Sequence, residues 1–210
     1  MYDYIEGAKM SAPSSLTFEQ QTDAIASMMK SALGAAKYDY LSGPITGGPR
    51  FIEWEQRVGS LLGGDEQTYR LLRQRQVIDP NIKDLIAAAD VLREKKKLSV
   101  IEPGSFESPN QLWSQNEFYR FWESVITDRA ERVIFCDGWE TSVGCTYEYL
   151  CAIRNGQTTL NSSLKNLPQS VATKLIISSS KDFDEISDRM KQHKHKLLAM
   201  AEAIKFSAKE

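Results

Sequence analysis

One short segment, DGWETSVGCTYE at residues 137–148, combines groups that could bind an anion with a group that could act on the bound molecule. The hydroxyl of Ser142 and the backbone N–H of Gly144 can donate hydrogen bonds, and a helix is expected over residues 143–155. Glu148 would then lie about one and a half turns into that helix. Because a helix N-terminus favours negative charge, an anionic ligand held there could face this carboxylate. The alternative for Glu148 is a solvated surface group or an ion-pair partner.

A second segment, YLSGPITGG at residues 40–48, places glycines and a proline directly after an expected strand. Glycine leaves the backbone bare, so that its N–H groups can approach an anion closely. The candidate binding residues here are Gly43, Pro44, Ile45, Thr46, Gly47 and Gly48, with Arg50 just beyond them. The segment is not the GxGxxG of a dinucleotide site, and it lacks the Lys-Ser/Thr of a triphosphate loop. Taken alone, it is more typical of an ordinary turn.

A third group of candidates surrounds the two loops. Glu123 lies in an expected helix at residues 111–127, where most single glutamates are exposed to solvent. Gly138 and Trp139 open the GWE segment, and the indole of Trp139 could stack on a base. Trp113, Phe118 and Tyr119 could do the same, although packing in the core explains these three equally well.

The elements that must position these residues alternate between strands and helices. Strands are expected at residues 37–44, 97–103 and 132–138, and a β-branched run indicates a late strand at 172–179. Helical spacing is found at residues 15–33, 50–62, 66–96 (divided at Asp79-Pro80), 111–127, 143–155 and 182–205. This alternation predicts an α/β fold with a mostly parallel sheet, helices on both faces and extra helices. Ligands of such sheets bind beyond the carboxyl ends of the strands, where both loops are expected.

The expected organisation is one α/β domain with additions. Residues 1–36 form an N-terminal arm and helix, and residues 37–180 form the domain, with a helical insertion at 64–96. The C-terminal helix at 181–210 is expected to pack on the same domain or on a second subunit. Its His193 and His195 lie on a polar stretch and are expected to be solvated.

Composition excludes several classes of function. The formal net charge is −2 and the pI is about 5.8, which argues against a nucleic-acid polymer as partner. The three cysteines form no CxxC pair, and we expect neither a metal site nor a disulfide framework. No apolar run is long enough for a membrane span, and no secretory signal is expected. A cytoplasmic protein without metal or organic cofactor is the resulting prediction.

Together, YLSGPITGG, VIEP at 100–103 and IFCDGWETSVGCTYEYLCAIRNG resemble the nucleoside 2-deoxyribosyltransferase-like family. The chain is most similar to its nucleoside 5′-monophosphate N-glycosidases, including cytidylate-type hydrolases with the signature GWE-x-S-x-G-x-x-x-E. The resemblance covers roughly residues 37–58 and 97–160. It implies a flavodoxin/Rossmann-like sheet and a retaining mechanism that passes through a covalent glycosyl-enzyme intermediate.

The resemblance also implies roles for individual residues. Glu148 would be the nucleophile that attacks C1′ of the sugar, and Tyr40 would orient its carboxylate. Glu123 would replace the family's usual aspartate near the sugar and the leaving base, with one additional methylene. Members that act on 5′-monophosphates tend to carry serine at the position of Ser142, where the free-nucleoside transferases carry aspartate. Thr46 departs from the phosphate-contacting arginine of some members, and Arg50 or a residue of another subunit could substitute.

The expected function is therefore hydrolysis of the N-glycosidic bond of a nucleoside 5′-monophosphate, with a pyrimidine such as CMP or a modified dCMP favoured. Three alternatives remain open at this point. The chain could be a nucleoside 2-deoxyribosyltransferase, a catalytically weak module that binds or senses a nucleotide, or an interaction protein whose extra helices bind a macromolecule. A homodimer or a higher homo-oligomer is expected, because related folds commonly form dimers.

Overall fold

The computed structural model describes residues 17–33, 36–106, 113–181 and 183–207. In these residues four strands form one parallel sheet: β1 (Tyr38–Ser42), β2 (Val100–Ile101), β3 (Ala130–Phe135) and β4 (Thr158–Asn161). Their order is β2-β1-β3-β4, and Tyr40 of β1 pairs with Ile101 on one side and with Val133 on the other. This is a flavodoxin-like order that reverses between β1 and β3. The predicted α/β fold with a parallel sheet is confirmed.

The helices of the described residues are α1 (Phe18–Leu33), α2 (Pro49–Arg57), α3 (Glu66–Arg73), α4 (Asp79–Lys96), α5 (Gln115–Arg129), α6 (Val143–Arg154), α7 (Gln169–Ser179) and α8 (Asp188–Phe206). The chain divides into two compact units, residues 1–34 and residues 35–210. Helix α1 belongs to the first unit and is preceded by Thr17, whose hydroxyl accepts a hydrogen bond from the Gln20 N–H at 3.3 Å. Ser15 and Gly34, the other expected ends of this helix, lie outside the described residues.

Side chains alternate between the two faces of the sheet along β1, so neighbouring residues contact different helices. Leu41 packs against Leu85 and Ala89 of α4 on one face of the sheet. Successive side chains point to opposite faces, so Tyr38, Tyr40 and Ser42 lie on the other face. There the Tyr38 hydroxyl donates to the carbonyl of Val125 in α5 at 2.6 Å. The sheet is thus covered on one face by α4 and on the other by α5 and α6.

The insertion at 64–96 folds as α3 and α4, joined by a π-helical segment at Gln74–Ile78. The predicted division at Asp79-Pro80 falls at the end of this segment, since α4 begins at Asp79 with Pro80 in its first turn. Proline has no N–H to donate, and it follows the π-helical segment, where the regular i→i−4 hydrogen bonding is already interrupted. Backbone dihedrals stay helical at Arg73, Gln74, Ile78 and Asp79, so α3 continues into α4 without a loop.

The expected strand at 172–179 is wrong, because these residues belong to α7. Ala172, Ile176 and Ser180 are buried whereas Val171 and Leu175 are exposed, which is a helical period. The β-branched composition is overridden by this packing. The fourth strand is β4 instead, a run of four residues, TTLN, in which only Leu160 is fully buried.

Helix α8 packs on α6 and α7 and buries Met190, Leu197, Ala201 and Ile204 within this chain. Its His193 is half-buried, and Nε2 lies 2.7 Å from the carbonyl oxygen of Thr141. The expectation of a solvated His193 is therefore wrong. Among the described helices, none has the length and apolar character needed to span a bilayer.

The loops after β1 and β3 pack directly against each other. A Cβ added at Gly47 would lie 3.2 Å from the Cα of Ser142. Gly48 has φ +88, and a Cβ there would meet Pro44 at 2.5 Å. Gly138 has φ +81, and a Cβ there would meet the ring of Pro49 at 2.5 Å. Glycine is required at Gly48 and Gly138 both for the positive φ and for the close approach, and at Gly47 for the close approach alone.

We predict that Gly138→Ala lowers the free energy of unfolding by about 1–3 kcal/mol, because alanine is strained at positive φ and its methyl group would overlap Pro49. Equilibrium unfolding in urea measures the change. Gly64→Ala is the matched control, since no atom lies within 4 Å of a Cβ added there, and it should change stability by less than about 0.5 kcal/mol. Equal effects of the two substitutions would contradict the close packing of the two loops.

Candidate functional site

A cavity of about 280 Å³ opens at the carboxyl ends of β1, β2 and β3. This volume is near the lower end of the range for small-molecule sites, about 300–1,000 Å³. The loops after β1 and β3, with α6, contribute the residues that we call the polar end: Gly43, Ile45, Thr46, Ser142, Gly144, Cys145 and Glu148. Helices α4 and α5 and the segment after β2 contribute the residues that we call the aromatic end: Ile82, Pro103, Gly104, Phe106, Gln115, Phe118, Tyr119 and Trp122. The two sets meet near Tyr40, since its ring lies 5.9 Å from that of Trp122.

Glu148 lies at the polar end and is only 9% exposed. The Tyr40 hydroxyl donates to Oε1 at 2.8 Å, and the Ser42 hydroxyl donates to Oε2 at 2.5 Å. Tyr40 and Ser42 are two residues apart on β1 and share a face of the sheet. The structure thus brings Tyr40 and Glu148 together, and it adds a second hydroxyl to the pair.

Burial raises the pKa of Glu148 to about 7, while the hydrogen bonds from Ser42 and Tyr40 act in the opposite direction because they stabilise the carboxylate. Burial also raises the pKa of the Tyr40 phenol well above its ordinary value, followed by the effect of the neighbouring Glu148. Tyr40 consequently remains a donor throughout the neutral range. Above about pH 7 Glu148 carries a negative charge held by two neutral donors.

Several donors at the same end have no acceptor within the described residues. The backbone N–H groups of Ile45 and Thr46, two residues that line the cavity, form no hydrogen bond there. The Ser142 hydroxyl caps α6 by accepting from the Cys145 N–H at 3.5 Å, and its own hydrogen, which can point to the adjacent Cys145 thiol, can instead be donated to a ligand. Gly144 is in the first turn of α6, whose N–H groups have no partner in the helix. The polar end can therefore bind an anion close to Glu148.

Glu123 is not brought to the cavity. It is half-buried, and its Oε2 accepts from the hydroxyl of Tyr147 at 2.6 Å. The ring of Tyr147 in turn stacks on Tyr119, with ring centroids 4.8 Å apart. Trp122 and Tyr119 face the cavity from the same helix, whereas Glu123 is turned toward α6. The placement of Glu123 beside the sugar and the leaving base is therefore corrected.

Trp139 does not face the cavity either. It is 3% exposed, and its ring packs between those of Phe135 and Tyr149, at centroid distances of 4.9 Å and 5.2 Å. It is a core residue, so the interpretation as a base-stacking residue is wrong. Gly138 lies against Pro49, as described above. Phe118 and Tyr119 do line the cavity, while Trp113 is buried among the rings of Phe106, Phe118 and Phe121.

The remaining loop residues are divided between two sides. Pro44 and Arg50 line a second cavity of about 270 Å³, which shares Gly43 with the first. The Arg50 guanidinium is bonded to Asn81 at 2.5 Å and to Asp84 at 2.8 Å, so it does not reach the cavity of Glu148. Gly47 and Gly48 line neither cavity and shape the loop instead.

Sequence reasoning missed Ser42, Gln115 and Trp122. Ser42 could have been found from the strand period, since it lies two residues after Tyr40 on the same face. Gln115 and Trp122 carry no comparable signal. Within the described ranges, no group of three or more His, Cys, Asp or Glu side chains could hold a metal ion.

We predict that Tyr40→Phe and Ser42→Ala each raise the pKa of Glu148 by about one unit, since each removes a donor that stabilises the carboxylate. Carbon-13 NMR of the glutamate side-chain carboxyl groups measures this titration, with Glu148→Gln used to assign its signal.

Tyr38→Phe is the matched control, because it removes a hydroxyl from the same strand and face that is bonded to Val125 rather than to Glu148. It should leave the pKa of Glu148 unchanged. A Glu148 titration that is the same in all three variants would show that the two hydroxyls do not determine its ionisation.

Three comparisons with known proteins were made for this chain. No protein-family model, no curated protein and no solved structure matches it. A function for this chain is therefore inferred from the geometry of the cavity.

Proposed function

We propose that the chain hydrolyses the N-glycosidic bond of a nucleoside 5′-monophosphate to free base and ribose or deoxyribose 5-phosphate. A pyrimidine nucleotide such as CMP or a modified dCMP is the favoured substrate. The observation that carries this proposal is the buried carboxylate of Glu148, held by Tyr40 and Ser42 in a cavity that aromatic side chains of α5 also line. A cytoplasmic homodimer or higher homo-oligomer is the expected form of the enzyme.

In the first step the bond between C1′ and the base nitrogen breaks, and its electron pair leaves with the base. The sugar passes through an oxocarbenium-like state, which the negative charge of Glu148 stabilises. A carboxylate oxygen then forms a bond to C1′ and gives a glycosyl ester. In the second step water attacks C1′, the ester bond breaks, and Glu148 is restored as a carboxylate with release of one proton, which balances the proton that the departed base takes up.

The leaving base requires hydrogen-bond donors, because it departs with the electron pair of the broken bond. Glu123 does not line the cavity, so we assign this role to Gln115 and Tyr119, two lining residues whose side chains carry hydrogen-bond donors. Burial, followed by the charge of Glu148, raises the pKa of Tyr119, which keeps the phenol protonated at neutral pH. Two neutral donors are compatible with a pyrimidine whose carbonyl oxygen accepts hydrogen bonds as the negative charge develops.

The 5′-phosphate is assigned to the polar end. Ser142, the Gly144 N–H and the unpaired N–H groups of Ile45 and Thr46 supply donors there, and the N-terminus of α6 favours negative charge. An aspartate in place of Ser142 would repel a phosphate dianion but could accept from a free 5′-hydroxyl. The serine therefore favours a nucleotide over a nucleoside as substrate.

A nucleotide-binding module with weak turnover is the second candidate, and the location of Glu123 outside the cavity favours it. The deoxyribosyltransferase alternative uses the same site, since a second base could intercept the glycosyl ester before water does. Both alternatives are separated from the hydrolase by the products formed.

The first test is a chromatographic assay of free base with a panel of ribo- and deoxyribonucleoside 5′-monophosphates, each beside its unphosphorylated nucleoside. We expect release from a pyrimidine monophosphate and loss of that release, on the order of 10⁴-fold, in Glu148→Gln. Nucleotide affinity should be largely retained in this variant, because glutamine has nearly the same shape.

Glu123→Gln is the matched control, since its carboxylate is bonded to Tyr147 and faces away from the cavity. It should retain most of the activity. Full activity in Glu148→Gln would remove the proposed nucleophile. Tight binding of one nucleotide without any base release would favour the binding module.

A second test concerns selectivity. Ser142→Asp should lower kcat/KM for the monophosphate relative to the nucleoside by about 100-fold or more, because the carboxylate would face the phosphate. Aspartate is as good an N-cap as serine, so α6 should remain intact. Ser142→Ala removes the donor without adding charge and should have a smaller effect. Unchanged selectivity in Ser142→Asp would place the phosphate elsewhere.

A further inference from the structure

The carbonyl groups of the glycine loop are held from outside the cavity by the helical insertion. The amide nitrogen of Asn81 donates to the carbonyl of Ile45 at 2.9 Å and to that of Gly47 at 3.2 Å. The guanidinium of Arg73 donates to the intervening carbonyl of Thr46 at 2.5 Å. Three consecutive carbonyls are thus bonded to two side chains of one insertion.

This bonding has a consequence for the opposite side of the loop. A carbonyl that is bonded to the insertion fixes the plane of its peptide unit, and the N–H of that unit is fixed with it. The N–H groups of these three units belong to Thr46, Gly47 and Gly48, and they have no acceptor in the described part of the chain. Ile45 and Thr46 meanwhile line the cavity of Glu148. Asn81 and Arg73 therefore set the orientation in which the loop meets a ligand.

The guanidinium of Arg73 is partly removed from water behind the glycine loop, which costs desolvation free energy. Burial lowers the pKa of its guanidinium, and its Nε is buried without an acceptor. The guanidinium lies over the ring of Phe51, 4.9 Å from its centroid. No carboxylate of the described residues forms an ion pair with it. Its positive charge thus lies behind the glycine loop without a direct ion pair, although the nearby carboxylates of Glu55 and Glu66 act against the effect of burial on its pKa.

The π-helical segment explains how both residues reach the loop. Positions eight residues apart on a continuous α-helix differ by about 80° around its axis. A π-helical segment is wound less tightly, so the five residues at Gln74–Ile78 reduce this difference. Arg73 and Asn81 flank the segment and contact adjacent carbonyls of the same loop.

We propose that Arg73 and Asn81 are positioning residues for the anionic group of the substrate: they fix the loop of residues 43–48 and supply positive charge behind it. This inference rests on the proposed function for the identity of the ligand, and it assigns the helical insertion a role in substrate selectivity. Asn81 is 7% exposed and is itself bonded to Arg50, which completes the arrangement on the outer side of the loop.

The test compares Arg73→Ala, Arg73→Gln and Arg73→Lys with Arg70→Ala. Arg70 lies one turn earlier on α3, its side chain is 78% exposed, and it is paired with Glu66 rather than with the loop. Hydrogen exchange of the peptide covering residues 43–50, measured without ligand, reports the loop directly. We expect exchange to be about five- to tenfold faster in Arg73→Ala and unchanged in Arg70→Ala.

Kinetics on the same variants separate positioning from general stability. Arg73→Ala should raise KM for the monophosphate by about tenfold or more, with a smaller change in kcat and little change for the nucleoside. Lysine retains the charge and a donor and should restore most of the affinity. Glutamine retains a donor without charge and should restore loop protection but not the affinity. A lower melting temperature together with equal changes in KM for the monophosphate and the nucleoside would indicate a merely structural role.

The two proposals fail in different ways. Unchanged exchange of the loop in Arg73→Ala would overturn this inference whatever the activity of the enzyme. Faster exchange in Arg73→Ala together with an absence of base release by the unmodified protein would overturn the proposed hydrolase while leaving the loop contact standing. If Arg73→Ala does not fold, Arg73→Gln and Asn81→Ala carry the same measurements.

Discussion

The buried carboxylate of Glu148 is the constraint on which the arrangement of this molecule depends. A carboxylate can be buried only where hydrogen-bond donors replace water, and here the donors are two hydroxyls on one face of β1. Two residues on one strand can reach one helix only if that helix lies over the strand. The order β2-β1-β3-β4 satisfies this condition, because α6 follows β3, the neighbour of β1. The burial of this carboxylate therefore depends on the strand order of the sheet.

The loops that line the cavity and the helices that support them meet at the carboxyl ends of β1 and β3. The loop after β1 lies against the loop after β3 because glycines permit the approach, and each loop is bonded from outside by another helix. Asn81 and Arg73 contact the first loop, while His193 of α8 contacts the carbonyl of Thr141 in the second. Burial lowers the pKa of His193, so its ring is neutral at pH 7 and adds no charge beside Arg73. The additions to the flavodoxin-like sheet thus support the loops rather than enlarge the core alone.

Much of this could be predicted from sequence where local pattern and global packing agree. The strand–loop–helix order of 38–57 and 130–154 follows from apolar runs that end in glycine. Period-2 alternation would also have identified Ser42, had it been applied to Tyr40. The burial of Trp139 could not be predicted, because an aromatic residue in a loop can face a ligand or pack in the core. Its packing against Phe135 and Tyr149 places it in the core.

Other features depend on contacts distant in sequence. The direction of Glu123 is fixed by Tyr147, 24 residues away, and no local pattern distinguishes it from Tyr119 one turn earlier. The contacts of Arg73 with Thr46 and of Asn81 with Ile45 span 27 and 36 residues. The helix at 172–179 could not be predicted from its β-branched composition, because its helical burial period depends on packing against α8, which is distant in sequence.

The raised pKa of Glu148 has a further consequence for the energetics of the fold. The native state holds the proton of Glu148 more tightly than the unfolded chain does, so this group favours the native state below about pH 4.5 and loses that contribution as the pH rises to about 7. At neutral pH the empty protein carries a charge that its interior disfavours. A glycosyl ester at Glu148 would be uncharged, and it would relieve this cost while the sugar remains attached. Within the proposed reaction, the fold is then least strained midway through the catalytic cycle, and the release of the sugar restores the strained state that begins the next turnover.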